Sequence, residues 1–179
     1  QLRVLEQVKA PKLTAMDTMN FWIEGKNQAL KKTIGAVSIL LINDTEARQL
    51  AKESNVVKAG RAIQALGPKI VVIKRGEYGA LLFHDEHTFY APAFPIEEVM
   101  DPTGAGDTFA GGFLGWLDRQ GRLDVDTCRE ALFVGTVMAS FVVEHFSFDG
   151  LRNLRRDDIG QRYRRMHQLS SFSSTIDLG

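Results

Sequence analysis

One carboxylate, Asp107, stands among glycines where an apolar helix is predicted to begin. Gly104, Ala105 and Gly106 leave the backbone N–H groups unshielded at that point, and the positive end of the helix dipole lies there too. A helix start of this kind binds anions. A carboxylate would repel a bound phosphate, so we expect Asp107 to face a second, uncharged reactant such as an attacking hydroxyl. The pattern therefore favours phosphoryl transfer, in which the amides hold the moving group and Asp107 accepts a proton.

Two other phosphate-binding loops fit this stretch poorly. A Walker A loop requires a lysine after its last glycine, whereas Gly111 is followed by Gly112. A dinucleotide-binding loop requires a third glycine where Phe109 stands. A purely structural interpretation stays open, in which Asp107 is only an acid in the first turn of a helix. Gly111 and Gly112 are expected to let this helix lie close to a neighbouring strand or helix.

Short apolar runs and helical patterns that alternate along the chain predict the sheet that positions these residues. The predicted strands are Leu13–Met19, Val37–Ile42 and Lys69–Ile73, and the predicted helices are Lys26–Thr33, Asp44–Glu53 and Val57–Leu66. Strands that alternate with helices in this way indicate a parallel α/β sheet.

A hairpin and three further helices are predicted in the rest of the chain. The hairpin strands Tyr78–Phe83 and Thr88–Ala91 flank a polar turn, in which His84 and His87 are expected to be solvated rather than to bind zinc. The helices are Ala105–Arg119, Asp126–Glu144 and Asp157–Gln168. We expect one domain over residues 1–168 and a flexible tail over residues 169–179, where serine is frequent.

The composition argues for a domain that binds small molecules rather than nucleic acid or membranes. The chain of 179 residues has 22 basic and 22 acidic side chains, so its zero net charge gives no general attraction to nucleic acid or anionic lipid. Neither a membrane span nor a signal peptide is expected, although a chain that begins at Gln1 suggests that something preceded it. The one cysteine, Cys128, is expected to be a core residue in a reducing cytoplasm.

The string DPTGAGDTFAGGF, from Asp101 to Phe113, closely resembles the carboxyl-terminal signature of the ribokinase-like carbohydrate kinases, also called the phosphofructokinase-B family. The resemblance implies a ribokinase-like α/β fold, in which helices flank a parallel-rich central sheet. It also implies that Asp107 is the catalytic base, that the amides of Gly104–Gly106 form the anion hole, and that ATP is the phosphoryl donor.

Two shorter motifs also resemble elements of this family. Asn43 to Glu46 matches its N-x-x-E element, which implies that Asn43 and Glu46 organise Mg²⁺ through its waters; an asparagine cap that opens a helix would look the same. Lys74 to Gly79 is similar to its K/T-x-G-x-x-G turn, which implies that Lys74, Gly76 and Gly79 lie beside the nucleotide. The alternative is a strand turn whose glycines are needed for positive φ.

The resemblance also implies a monovalent cation close to the anion hole. Asp101 and the carbonyl of Thr103 match positions that hold such a cation, K⁺, in relatives. The second half of that cation site falls where Phe146–Gly150 departs from the usual family pattern.

For the adenine, the resemblance points to three segments of the chain. They are the turn Gly76–Gly79, the hairpin end near Ala91–Ala93, and the long helix around Val137–Phe141, which includes Val137 and Ser140. The helix residues are more securely assigned to the core than to a pocket.

The stretch from Asp17 to Glu24 resembles the end of a family strand that carries an aspartate and an asparagine. The resemblance implies that Asp17 and Asn20 point toward the acceptor substrate, with Trp22 behind them. A buried polar pair that supports the sheet is the competing interpretation.

The resemblance runs from about Leu13 to Arg165, which corresponds to only the carboxyl-terminal half to two-thirds of a typical family member. The absent amino-terminal portion carries the β-sheet lid and most acceptor-binding residues in relatives. We therefore expect the donor half of a kinase for sugars or nucleosides, weak or inactive alone, completed by an amino-terminal segment or by a homodimer partner. The alternative is a nucleotide-binding fragment or regulatory module without catalysis.

Overall fold

The computed structural model describes residues 2–171, which form two compact units: one ends at Ala91 and the other begins at Pro92. The tail expected over residues 169–179 lies largely outside the described residues, although Leu169 and Ser170 belong to the last helix. Among the described residues, no helix is both long and apolar enough to cross a membrane.

A five-stranded sheet forms the centre of the first unit. Its strands lie in the order in which they occur in the chain: β1 Ala15–Asp17, β2 Ile39–Asn43, β3 Ile70–Lys74, β4 Ala80–His84 and β5 His87–Ala91. Strands β1, β2 and β3 are parallel, whereas β4 and β5 are added as an antiparallel hairpin. The predicted parallel sheet with an appended hairpin is confirmed. The first four residues of β2 and of β3 are buried, as expected for apolar strands covered on both faces.

Five helices belong to the first unit: α1 Leu2–Leu5, α2 Asn20–Gly25, α3 Asn27–Ile34, α4 Asp44–Ala51 and α5 Val56–Gln64. Helix α2 was not predicted, and the strand predicted to run to Met19 ends at Asp17. The carbonyl of Met19 accepts bonds from the amides of Trp22 and Ile23, and Ile23 is buried in the core. Packing of one apolar side chain therefore overrides the extended pattern at this point.

Helix α5 holds the hairpin against the sheet through one arginine. The Arg61 guanidinium donates to the carbonyls of Asp85 and Glu86 and to the hydroxyl of Thr88. His84 is buried at 2% exposure, so its predicted solvation is wrong, whereas His87 is exposed as expected. The polar turn is shorter than the sequence suggests, because both histidines belong to the strands.

As far as Ser171, where the description ends, the second unit contains four helices: α6 Ala105–Gln120, α7 Val125–Val143, α8 Asp149–Arg152 and α9 Arg156–Ser170. Helices α6 and α7 approach closely at glycines. A Cβ on Gly112 would lie 3.1 Å from the Cα of Gly135, and a Cβ on Gly135 would lie 2.9 Å from the carbonyl oxygen of Phe109. The predicted close approach is confirmed for Gly112 but not for Gly111, which has nothing within 4 Å of its Cβ position. Cys128 is fully buried in α7, as predicted.

Helix α9 packs on α7 through an arginine held between aromatic rings. The guanidinium carbon of Arg162 lies 3.7 Å from the ring centroid of Phe141 and 5.1 Å from that of Phe94. The same guanidinium donates to Glu144 at 2.6 Å and to Ser140 at 3.0 Å. The α7–α9 contact thus combines an apolar core with one part-buried ion pair.

Candidate active site

Three predicted site residues end the three parallel strands. Asp17, Asn43 and Lys74 are the last residues of β1, β2 and β3, and Asn43 stands opposite Lys74 in the register. The carboxyl ends of neighbouring parallel strands meet at one edge, which is where open α/β sheets bind ligands. The structure therefore brings together residues that came from three separate motifs.

Asn43 and Glu46 cap the start of α4 reciprocally. The Glu46 amide donates to Asn43 Oδ1 at 2.8 Å, and the Asn43 amide donates to Glu46 Oε2 at 3.2 Å. The interpretation of N-x-x-E as a helix cap is confirmed. Burial raises the pKa of the Glu46 carboxyl; the hydrogen bond from the Asn43 backbone opposes that rise, the charge of Asp17 adds to it, and Lys74 opposes it.

Asp17 and Lys74 form an ion pair that sequence reasoning missed. Lys74 Nζ lies 2.6 Å from Asp17 Oδ2, and the backbone amide of Thr18 donates to Asp17 Oδ1 at 2.8 Å. The side chains are 16% exposed for Lys74 and 35% exposed for Asp17. The one available signal was that Asp17 lies near the end of the predicted strand Leu13–Met19, while Lys74 directly follows the predicted strand Lys69–Ile73 of the same sheet.

Asn20 does not accompany Asp17 at a strand end. It is the first residue of α2 and is exposed, and Trp22 is partly exposed two residues later. The predicted strand end does not describe Asn20, because the chain turns into a helix after Asp17. The alternative, a buried pair of Asp17 with Asn20, does not describe it either, because Asp17 pairs with Lys74.

The turn after Lys74 depends on its glycines. Gly76 has φ +55° and Gly79 has φ +81°, both in the region that other residues rarely adopt. The Arg75 amide donates to the Gly79 carbonyl at 2.8 Å, which closes the turn between β3 and β4. The turn interpretation is confirmed, and the open space around the Cβ position of Gly76 leaves room for a ligand to approach the backbone.

The glycine-rich start of α6 lies in the second unit. Gly104 occupies the N-cap in the left-handed region with φ +81°, and within residues 2–171 no side chain caps this turn. The Ala105 amide donates to the Pro102 carbonyl at 3.2 Å, so the amides of Gly106 and Asp107 are the donors best placed for an external anion. Asp107 is an exposed acid of the first turn, as the structural interpretation also requires.

Asp101 fixes the approach to this helix start. Its carboxylate accepts from the Thr103 amide at 2.9 Å and from the Ser147 amide at 3.2 Å. Hydrogen bonds from the side chain and backbone of Thr103, followed by that from Ser147, hold the pKa of Asp101 below its usual value. The Asp101 carboxylate is therefore anionic. Its bond to the Ser147 amide connects the segment Phe146–Gly150, which departs from the family pattern, to the start of α6. Carboxylate oxygens suit a hard cation.

Val137 and Ser140 are buried in the second unit. Val137 is fully buried beside Phe141 and Met166, and the Ser140 hydroxyl donates to the Val137 carbonyl at 2.6 Å. These positions agree with the core interpretation. Val137 exposes no surface, so a nucleotide would touch it only after neighbouring side chains moved.

The described residues suit the binding of Mg²⁺ only if water molecules lie between the ion and the side chains. Residues 2–171 contain no group of three or more histidines, cysteines and acids that could hold a metal ion directly. At the strand edge, one oxygen of Glu46 is used by the helix cap and Asp17 is neutralised by Lys74. The remaining carboxylate and amide oxygens of Glu46 and Asn43 suit contacts with the waters of a hydrated Mg²⁺.

Comparison with known proteins identifies kinases that this chain resembles. The family model described as "pfkB family carbohydrate kinase" matches residues 8–150. A cytidine kinase from Thermococcus kodakarensis is 34% identical over 142 residues, which cover 74% of this chain and 51% of that enzyme.

Two solved structures have the same fold over most of this chain. Aminoimidazole riboside kinase from Salmonella enterica, complexed with aminoimidazole riboside and an ATP analog, gives a TM-score of 0.74 at 25% identity, covering 84% of this chain and 52% of that one. A putative ribokinase II from E. coli in complex with ATP and Mg²⁺ gives a TM-score of 0.67 at 26% identity, covering 81% and 45%. The chain thus spans about half the length of the relatives it matches.

Proposed function

The chain belongs to the pfkB family of carbohydrate kinases, and from that premise we propose that it serves ATP-dependent transfer of a phosphoryl group to a hydroxyl of a sugar or nucleoside. The observation that carries the proposal is the start of α6, where a left-handed glycine cap without a side chain stands three residues before an exposed aspartate. Backbone donors beside a free carboxylate supply the two functions that phosphoryl transfer needs, charge stabilisation and proton removal.

In the proposed reaction Asp107 is the general base. The acceptor oxygen attacks the γ-phosphorus of ATP, the bond from that phosphorus to the bridging oxygen breaks, and ADP leaves with the bonding electrons. The hydroxyl proton passes to Asp107. The amides of Gly106 and Asp107, with the Gly104–Ala105 turn, stabilise the charge on the transferring group.

The strand edge of the first unit is proposed to organise the metal. Mg²⁺, when bound, neutralises charge on the phosphates. Glu46 and Asn43 would hold its waters, with the helix cap fixing the orientation of both side chains. Asp17 is proposed to face the acceptor, and the turn containing Gly76 and Gly79 to lie beside the nucleotide.

A monovalent cation and a completing partner are further parts of the proposal. K⁺ is assigned to Asp101 and the carbonyl of Thr103, where a carboxylate with lowered pKa is retained. Because the chain spans about half the length of its relatives, the remaining acceptor-binding groups are proposed to come from further sequence in the same protein or from a partner chain, including a second copy.

The test is a phosphorylation assay with a defined set of acceptors. The complete protein that carries this sequence is incubated with MgATP and cytidine, uridine, adenosine, D-ribose or D-fructose, and acceptor-dependent ADP release is measured. We expect turnover of at least one of them. The 179-residue chain is titrated with MgATP in parallel by calorimetry. ATP binding without turnover of any alcohol would favour a non-catalytic nucleotide-binding module, and no ATP binding would contradict the proposal.

A further inference from the structure

The ion pair between Asp17 and Lys74 joins two motifs to which different roles are proposed. Asp17 is assigned to the acceptor, whereas Lys74 begins the turn proposed to lie beside the nucleotide. We propose that Lys74 is a positioning residue, which holds and neutralises the Asp17 carboxylate rather than contacting ATP phosphates. This inference rests on the proposed function for the role of Asp17, but the ion pair itself can be tested without it.

The ion pair between Asp17 and Lys74 spans the end of strand β2. Strand β2 lies between β1 and β3, so the backbones that carry Asp17 and Lys74 are separated by two strand spacings, or roughly 10 Å. The long stem of the lysine spans this gap and places Nζ 2.6 Å from Asp17 Oδ2. A shorter or uncharged side chain at this position would leave the carboxylate without its cation.

The carboxylate of Asp17 is oriented by both of its oxygens. Oδ1 accepts from the Thr18 amide at 2.8 Å and Oδ2 accepts from Lys74 at 2.6 Å. One bond to each oxygen restricts the rotation of the group, and a reacting or binding carboxylate requires a fixed orientation. Because Lys74 is only 16% exposed, water replaces this contact poorly.

Lys74 also offsets repulsion between two acids. The buried Glu46 experiences the negative charge of Asp17, and Lys74 opposes that effect. Without the ammonium, two carboxylates would share the edge of the sheet with no cation between them, and each would favour moving toward solvent. The lysine therefore balances the charge of Asp17 at the end of β1 and of Glu46 in the first turn of α4.

A phosphate contact by Lys74 is the competing role. Lys74 uses one of its three N–H donors on Asp17, and the two roles predict different effects of removing the ammonium. Loss of a phosphate contact weakens ATP binding. Loss of a positioning contact affects the acceptor and leaves ATP binding unchanged.

The pair is tested first in the 179-residue chain by a double-mutant cycle. Lys74→Met, Asp17→Asn and the double variant are unfolded in urea and their midpoints compared. We expect the double variant to shift the midpoint by clearly less than the sum of the single variants, because the second change removes a partner already lost. Additive shifts would overturn the inference, whether or not the chain binds ATP.

The role of Lys74 is tested by measuring the effects of its replacement on ATP and on the acceptor separately. Calorimetry with MgATP is expected to give Lys74→Met an affinity within about twofold of wild type, while a loss of about tenfold or more would overturn the inference. In the complete enzyme, assayed with the acceptor turned over best among the five compounds above, we expect KM for that acceptor to rise about tenfold or more with KM for ATP unchanged.

Two controls keep these outcomes distinct. Lys74→Arg retains a long cation, so its KM for the acceptor is expected to stay close to the wild-type value. If Lys74→Arg instead showed the raised acceptor KM of Lys74→Met together with a full loss of ATP affinity, Lys74 would be assigned to the phosphates. Lys69→Met removes an exposed lysine that immediately precedes the same strand and is expected to change neither KM. A wild-type chain that fails to bind ATP would contradict the proposed function alone, since the double-mutant cycle still decides the pair.

Discussion

The guanidinium of Arg162 lies against the ring of Phe141, with its central carbon 3.7 Å from the ring centroid. The same guanidinium pairs with Glu144, the residue that follows α7, so one side chain of α9 contacts both an aromatic ring and a part-buried carboxylate. The second unit consequently depends on a planar cation at position 162. A lysine lacks the planar surface that stacks on the ring, and an apolar residue lacks the charge that pairs with Glu144.

Replacing Arg162 with alanine is expected to lower the free energy of unfolding by about 2–4 kcal/mol, because both the ring contacts and the partner of Glu144 are lost. Urea denaturation measures the change. Arg162→Lys should fall between alanine and wild type, since it keeps the charge but not the planar contact. Arg164→Ala, on the exposed side of the same helix, is the matched control and should change stability little. Equal effects of the two alanine variants would contradict the assigned role.

Gly60→Ala is expected to destabilise the chain by about 1–3 kcal/mol through overpacking. A Cβ at this position would overlap the ring of Phe83, which is fully buried and has no room to retreat. Gly111→Ala is the opposite case. Its Cβ position is open and the residue is inside a helix, so a gain of about 0.5–1 kcal/mol is expected. Thermal unfolding of both variants checks the signs.

Asp107→Asn in the complete protein is expected to lower kcat by about 10²–10⁴-fold, the usual contribution of a general base. Affinity for MgATP should change little, because asparagine is close in size and the backbone amides at the start of α6 are retained. Single-turnover kinetics with calorimetry separates the two quantities. Turnover near the wild-type rate would show that another group removes the proton.

Glu46→Gln is expected to make stability less dependent on pH. The folded pKa of Glu46 is raised above its ordinary value of 4.5, so the folded state binds the proton more tightly than the unfolded chain does. The wild type therefore loses stability as pH rises from near 4.5 through the folded pKa. Glutamine keeps an oxygen that can accept from the Asn43 amide but carries no charge. The variant should match the wild type in acid and exceed it near neutral pH in urea titrations, and the reverse order would show that the charge stabilises the fold.

Local patterns predicted the elements whose residues interact with their neighbours in sequence. Strands β2 and β3 follow from runs of β-branched residues, and the start of α4 follows from Asn43 and Glu46, which bond to each other. Helix α2 was missed because its formation depends on burial of Ile23 by residues distant in the chain. The burial of His84 was missed for the same reason.

The candidate site was predictable only as separate residues. Its motifs specified Asp17, Asn43 and Lys74, but the contact between the first and last of these depends on strand order and on the length of a lysine, which no local pattern contains. The bond of Asp101 to the amide of Ser147 likewise joins segments 46 residues apart. Sequence patterns therefore indicated the candidate residues, while the tertiary contacts determine how each side chain is held.

The contact of Gly112 with Gly135 has a consequence for geometry far along the helix. At this point α6 and α7 are so close that a Cβ on Gly112 would meet the side chain of Met138 and the backbone of Gly135 within 3.1 Å. The N-cap of α6, Gly104, lies eight residues, or roughly 12 Å, from Gly112. A methyl group added at Gly112 would push the two helices apart, and we expect this to displace the amides at the start of α6 that are proposed to hold the transferring group.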